Sequence, residues 1–114
     1  MRTALLSIFS ALALAATAQA QQLLSADEAR EIFVGKPWHS DHGAFIFRDD
    51  GTYSYHEFGQ QQERGTWPYR ILRNGTFTTR TTDYTFYRTR DGYEYHHSRS
   101  NRRYPAYPDK SYPR

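Results

Sequence analysis

With 114 residues the chain is long enough for one domain and short for two, and the absence of cysteine excludes a disulfide framework and a thiol nucleophile. The net charge of +3 is unevenly spread: residues 21–98 hold nine basic against eleven acidic side chains, residues 99–114 five against one. A slightly acidic body argues against nucleic acid as a partner.

Residues 1–20, MRTALLSIFSALALAATAQA, read as a signal peptide. Arg2 precedes an apolar run, and Ala18-Gln19-Ala20 supplies the small residues a signal peptidase accepts. The run is too short and too rich in alanine for a membrane span. Cleavage after Ala20 leaves about 94 residues, and a periplasmic or secreted location is expected.

Ser25-Ala26-Asp27-Glu28 is a capping box, in which hydroxyl and carboxylate satisfy each other's backbone amides. It predicts one short helix, about 26–34, ended by Gly35 and Pro37. Ala29, Ile32 and Phe33 form its apolar stripe. A helix this short needs tertiary support, so it should lie across an open end of the sheet.

From Trp38 onward the period is two. Candidate strands cover 37–40, 44–49, 52–58, 64–72, 76–82, 84–90 and 93–98. Asp50-Gly51, Asn74-Gly75 and Asp91-Gly92 are strong hairpin signals; His42-Gly43, Gln60-Gln61-Gln62 and Thr82-Asp83 mark the other turns. Phe45, Phe47, Tyr53, Tyr55, Trp67, Tyr69, Ile71, Phe77, Tyr84, Phe86, Tyr93 and Tyr95 fall on one side. Arg48, Ser54, His56, Arg70, Thr78, Arg80, Thr85 and Glu94 fall on the other, which should face water. Pro68 cannot donate to a ladder, so its strand is an edge or bulged there. A closed eight-stranded barrel would take a longer chain. The expected fold is therefore mainly β: an antiparallel up-and-down meander of six or seven strands, a curved sheet or partly open barrel, with one short N-terminal helix. Residues 21–98 form the single domain. Residues 99–114, basic and with Tyr-Pro three times, read as a disordered tail.

The run Phe47-x-x-Asp50-Gly51-Thr52-Tyr53, followed by Gly65-x-Trp67, resembles a pattern in small exported bacterial β domains of the lipocalin-like, or calycin-like, type. The resemblance covers roughly residues 38–95. It implies a curved sheet and a tendency to bind small apolar ligands or proteins, and it carries over no catalytic residue.

Candidate chemistry is sparse. His39, Asp41, His42, His56, His96 and His97 are metal-ligand types, but His96 and His97 are adjacent on a strand and point to opposite faces; ordinary solvent-facing or turn histidines are the better account, and no metal site is assigned. The arginines at 48, 70, 73, 80, 88 and 90 suit an anionic polymer, yet Glu57, Glu63, Asp83 and Glu94 can pair with them across strands. No serine sits in a G-x-S-x-G setting, and neither catalysis nor a cofactor is expected. The tyrosine-rich face stands out, because a dry core would favour Phe, Leu, Ile and Val. Either the hydroxyls reach water at the rim, or the rings line a pocket with polar handles. The second reading makes Tyr53, Tyr55, Trp67, Tyr69, Phe86 and Tyr95 the ligand-binding candidates of a non-catalytic binding module. Its partner would be a small apolar ligand or a protein, with no nucleic acid and no membrane span. As an inhibitor of an exported hydrolase, the module would use the His39–Gly43 and Gly59–Glu63 loops. The competing expectation is an envelope-associated structural protein whose basic tail docks on anionic surface polymer.

Overall fold

The computed structural model describes residues 21–60 and 65–108. The predicted signal peptide, residues 61–64 (the end of the predicted 59–63 loop and the first residue of the candidate strand 64–72), and residues 109–114 lie outside the described residues. The elements are β1 (Gln21–Leu23), α1 (Ala26–Phe33), β2 (Pro37–His39), β3 (Gly43–Phe47), β4 (Thr52–Glu57), β5 (Trp67–Ile71), β6 (Phe77–Thr79), β7 (Asp83–Thr89), β8 (Tyr93–His97) and β9 (Arg102–Ala106). β2 to β9 pair in sequence order, each antiparallel to the next. The expected meander is present, with nine described strands rather than six or seven.

The two additional strands come from the ends. β1 pairs with the second half of β7, Leu23 opposite Tyr87, while β6 holds the first half, Phe77 opposite Tyr84. β1 and β6 thus share one edge of β7. β9 lies in the segment expected to be a disordered tail; it pairs with β8 from Tyr93–Ala106 to His97–Arg102. Ala106 is buried there, and the Tyr104 ring lies 5.4 Å from Tyr95. With Arg99 to Pro108 inside the domain, residues 21–108 carry twelve basic and eleven acidic side chains.

The sheet curls until its ends meet. The Tyr107 amide donates to the His39 carbonyl at 2.8 Å, and the His39 amide returns a bond to Tyr107 at 3.3 Å. This single bridge joins β2 to the end of β9 and nearly closes an eight-strand ring. Short strands, three to seven residues each, make that possible with few residues. The ladder is thin between β4 and β5, where Thr52–Pro68 and Tyr53–Trp67 are paired, and equally short between β6 and β7. Pro68 sits where β6 has not yet joined β5, since that pairing begins at Tyr69. A residue without an amide proton is tolerated at such a place.

The capping box of α1 forms as the sequence specifies: the Glu28 amide donates to Ser25 Oγ at 3.2 Å, and the Ser25 amide to Glu28 Oε1 at 3.0 Å. The helix ends at Phe33, Val34 is extended, and the Gly35 amide donates to Phe47 at 2.8 Å. Ala29 and Phe33 are fully buried. Phe33 stacks on Phe86 at 4.3 Å and meets Trp38 edge-on at 5.1 Å, so the helix seals one end of the sheet. Gly75 allows the chain leading into α1 to pass closely. It has φ of +91°, and a Cβ there would lie 2.6 Å from the Leu24 carbonyl oxygen.

The inward face is the predicted aromatic one, set by the period of two. Phe45, Phe47, Tyr53, Tyr69, Phe77, Tyr84, Phe86 and Tyr95 join Trp38 in one core cluster. The outward face differs from expectation at Ser54, which is buried beneath the Arg48 guanidinium that donates to its hydroxyl at 3.0 Å. No helix among the described residues is long and apolar enough to cross a membrane.

Candidate functional site

With α1 across one end, the strand ends opposite it surround an open cup of about 550 Å³, within the range of small-molecule pockets. Its rings come from successive strands: Phe45 from β3, Tyr53 and Tyr55 from β4, Trp67 from β5, Tyr84 from β7, Tyr95 from β8 and Tyr104 from β9. Alternation places them on the inner surface, and the thin β4–β5 ladder leaves room beside Tyr55 and Trp67. Phe45 packs on Tyr55 at 4.7 Å and edge-on against Tyr84 at 5.5 Å; Tyr53 and Trp67 lie 5.7 Å apart.

Four of the six predicted residues, Tyr53, Tyr55, Trp67 and Tyr95, line this cup. Phe86 and Tyr69 do not. Phe86 packs toward α1, with Phe33 against its face and Phe77 4.8 Å away. Tyr69 lies beside α1, where its hydroxyl donates to the Arg48 carbonyl at 2.6 Å. Period-two reading assigns a side but not a depth, and depth separates these two from the others.

The tyrosines are not all rim residues. Tyr84 and Tyr95 are 6% and 2% exposed, so their hydroxyls lie below the mouth. Burial pushes the Tyr95 phenol up to about 12, reinforced by the neighbouring phenols of Tyr55 and Tyr104. Burial raises Tyr84 further still, helped by Tyr53 and Tyr95. Both are neutral hydroxyls at ordinary pH, able to donate or accept. Tyr55 lies over Gly43: a Cβ at Gly43 would be 2.5 Å from Tyr55 Cε1 and 2.6 Å from Cζ. The absence of a side chain at 43 sets the position of that wall.

The mouth is polar; the sequence offered His42 and His97 only as metal-ligand types and Arg80 only as an outward-facing arginine, and did not bring them together. Thr79, Arg80, Thr81 and Thr82 come from the β6–β7 turn, His42 from the loop before β3, His97 from β8 and Arg99 from the loop after it. The β6–β7 turn lies at Arg80-Thr81, not at Thr82-Asp83. Thr79 Oγ1 accepts from the Thr82 amide at 3.0 Å and donates to the Thr82 carbonyl at 2.8 Å. That turn carries Arg80 to the mouth instead of the outer face. His97 Nδ1 accepts from the Ser100 amide at 3.2 Å, which places the proton of the neutral ring on Nε2. Burial and then the nearby Arg99 hold His97 below the usual histidine range. His42 stands edge-on to Tyr104 at 5.0 Å. A cluster of hydroxyls, imidazoles and guanidinium groups drawn from distant turns has no local signature in the sequence.

The other histidines lie apart from the cup: His39 packs beside Tyr107, and His96 bonds Asn101 Oδ1 at 2.9 Å. No group of three or more His, Cys, Asp or Glu side chains suited to a metal ion occurs among the described residues. No protein-family model, curated protein or solved structure matches the chain, so the reading of the cup rests on its own geometry and chemistry.

Proposed function

We propose that the protein is an exported, non-catalytic binding module that takes a small, largely apolar ligand into the aromatic cup. It would act much as the lipocalin-like resemblance suggests. The observation that carries this reading is the unequal treatment of the two ends. One end is filled by Phe33, Ala29 and Leu24 of the α1 region, while the other keeps about 550 Å³ lined by seven aromatic rings. An end left unfilled forgoes dispersion contacts and burial. Rings with a few polar groups at the margin are the usual anatomy of a ligand site. Tyr53, Tyr55, Trp67 and Tyr95 serve as contact surfaces, and the buried Tyr84 and Tyr95 hydroxyls as polar handles.

The test is fluorescence titration with phenyl naphthylamine, a neutral aromatic probe that brightens in apolar surroundings. Saturable one-to-one binding is expected. Thr81→Trp, which places bulk at the mouth on an exposed turn position, should weaken it about tenfold. Binding that does not saturate, or that ignores Thr81→Trp, refutes the reading.

A further inference from the structure

We propose that the cup selects ligands with an anionic head group, held at the mouth by Arg80 and Arg99 while the apolar body lies on the rings; this rests on the cup being a ligand site. Two guanidinium groups reach the mouth from unrelated turns, β6–β7 and β8–β9. Two arginines elsewhere on the sheet have carboxylate partners: Arg88 pairs with Glu28 at 3.2 Å, and Arg103 approaches Glu94 at 3.9 Å; what distinguishes Arg80 and Arg99 is their place at the mouth of an aromatic cup. Arg80 and Arg99 form no ion pair among the described residues.

The cup lining contains no carboxylate among the described residues. The acidic group acting on it from nearby is Asp41, which affects Tyr95 only weakly, behind burial and the neighbouring phenols. The remaining polar lining consists of Thr79, whose hydroxyl proton goes to the Thr82 carbonyl, the mutually bonded Thr81 and Thr82 hydroxyls, and the imidazoles of His42 and His97; one proton of the hydroxyl pair and the imidazole N–H groups are able to meet an oxyanion. A mouth with two cations that form no ion pair among the described residues, above a wall of rings, favours a molecule that is apolar at one end and a carboxylate, sulfonate or similar anion at the other. Guanidinium groups meet such heads with paired, charge-assisted bonds, and like charge at the mouth rejects cationic amphiphiles.

The experiment compares two dyes with the same aromatic body. Anilinonaphthalene sulfonate carries an anionic group and phenyl naphthylamine lacks it. Both are titrated against the unaltered protein, the double variant Arg80→Gln/Arg99→Gln, and a charge-matched control, Arg70→Gln/Arg90→Gln, at exposed positions away from the cup. The mouth variant should lose roughly tenfold in sulfonate affinity and keep its affinity for the neutral dye, while the control keeps both. An unchanged sulfonate affinity in the mouth variant, or an equal loss in the control, overturns the head-group assignment and leaves the cup as a neutral site. Failure of both dyes to bind saturably to the unaltered protein overturns the cup reading itself.

Discussion

Phe33→Ala tests whether the helix is a structural plug. Phe33 is fully buried, stacked on Phe86 at 4.3 Å and edge-on to Trp38 and Tyr93 at 5.1 and 5.6 Å. Truncating a buried Phe to Ala costs about 3–5 kcal/mol, part of it from the cavity left behind. The upper half of that range is expected, because three of its neighbours are rings from three different strands and cannot all collapse inward. An eight-residue helix has no independent stability, so losing its anchor should also release the capping box. At roughly 4–8 °C per kcal/mol for a domain of this size, the melting temperature should fall by at least about 16 °C. The assay is thermal unfolding followed by near-ultraviolet dichroism of the aromatic core, with a denaturant titration for the free energy. A loss below about 1 kcal/mol would show that α1 does not seal the sheet, and the contrast between filled and open ends would fail with it.

Two further expectations address the seam and the buried phenols. Ending the chain at Ser98 removes β9 and the Tyr107–His39 bridge; the loss of a full ladder and of buried Ala106 should cost more than about 3 kcal/mol, and a denaturation midpoint equal to that of the full chain would refute this. Tyr95 and Tyr84 have folded-state pKa values raised above the unfolded value near 10. Their stabilisation is complete below about pH 10 and is lost as pH rises through the folded values. For Tyr95 this amounts to roughly 3 kcal/mol by about pH 12. Guanidinium midpoints should decline across that window and decline less in Tyr95→Phe; a flat profile would contradict the burial of the hydroxyls.

The strands with one wet and one dry face were legible, because alternation is written wherever a strand separates core from water. The seven candidate strands all correspond to observed ones, and Ser25 to Glu28 specified the start of α1. β1 was not legible because Gln21, Gln22 and Leu23 are all exposed, so no alternation marks it. β9 was hidden by Arg102, Arg103 and Pro105, which resemble a solvated tail. It has β8 along one side and β2 only at Tyr107 on the other, a setting that tolerates proline and charge. For the site, the rings were found and the mouth was not. Arg80 and Arg99 come to the same end because the β6–β7 turn and the β8–β9 loop adjoin across the β7–β8 ladder, where Tyr84 faces His97, a register with no signature in the residues around either arginine.

The bridge from His39 to Tyr107 also constrains how the molecule comes to be folded. It joins β2 to the residue after β9, so loop-closure entropy for that contact is met only after every strand from β2 to β9 is available. The β2–β3–β4 meander can form early from local contacts, but β8 keeps an unpaired edge until β9 is in place. Strand-edge exposure is a route to association between copies. During that interval folding is slow, as non-local β pairing dictates, and the unfinished sheet can recruit a strand from another chain.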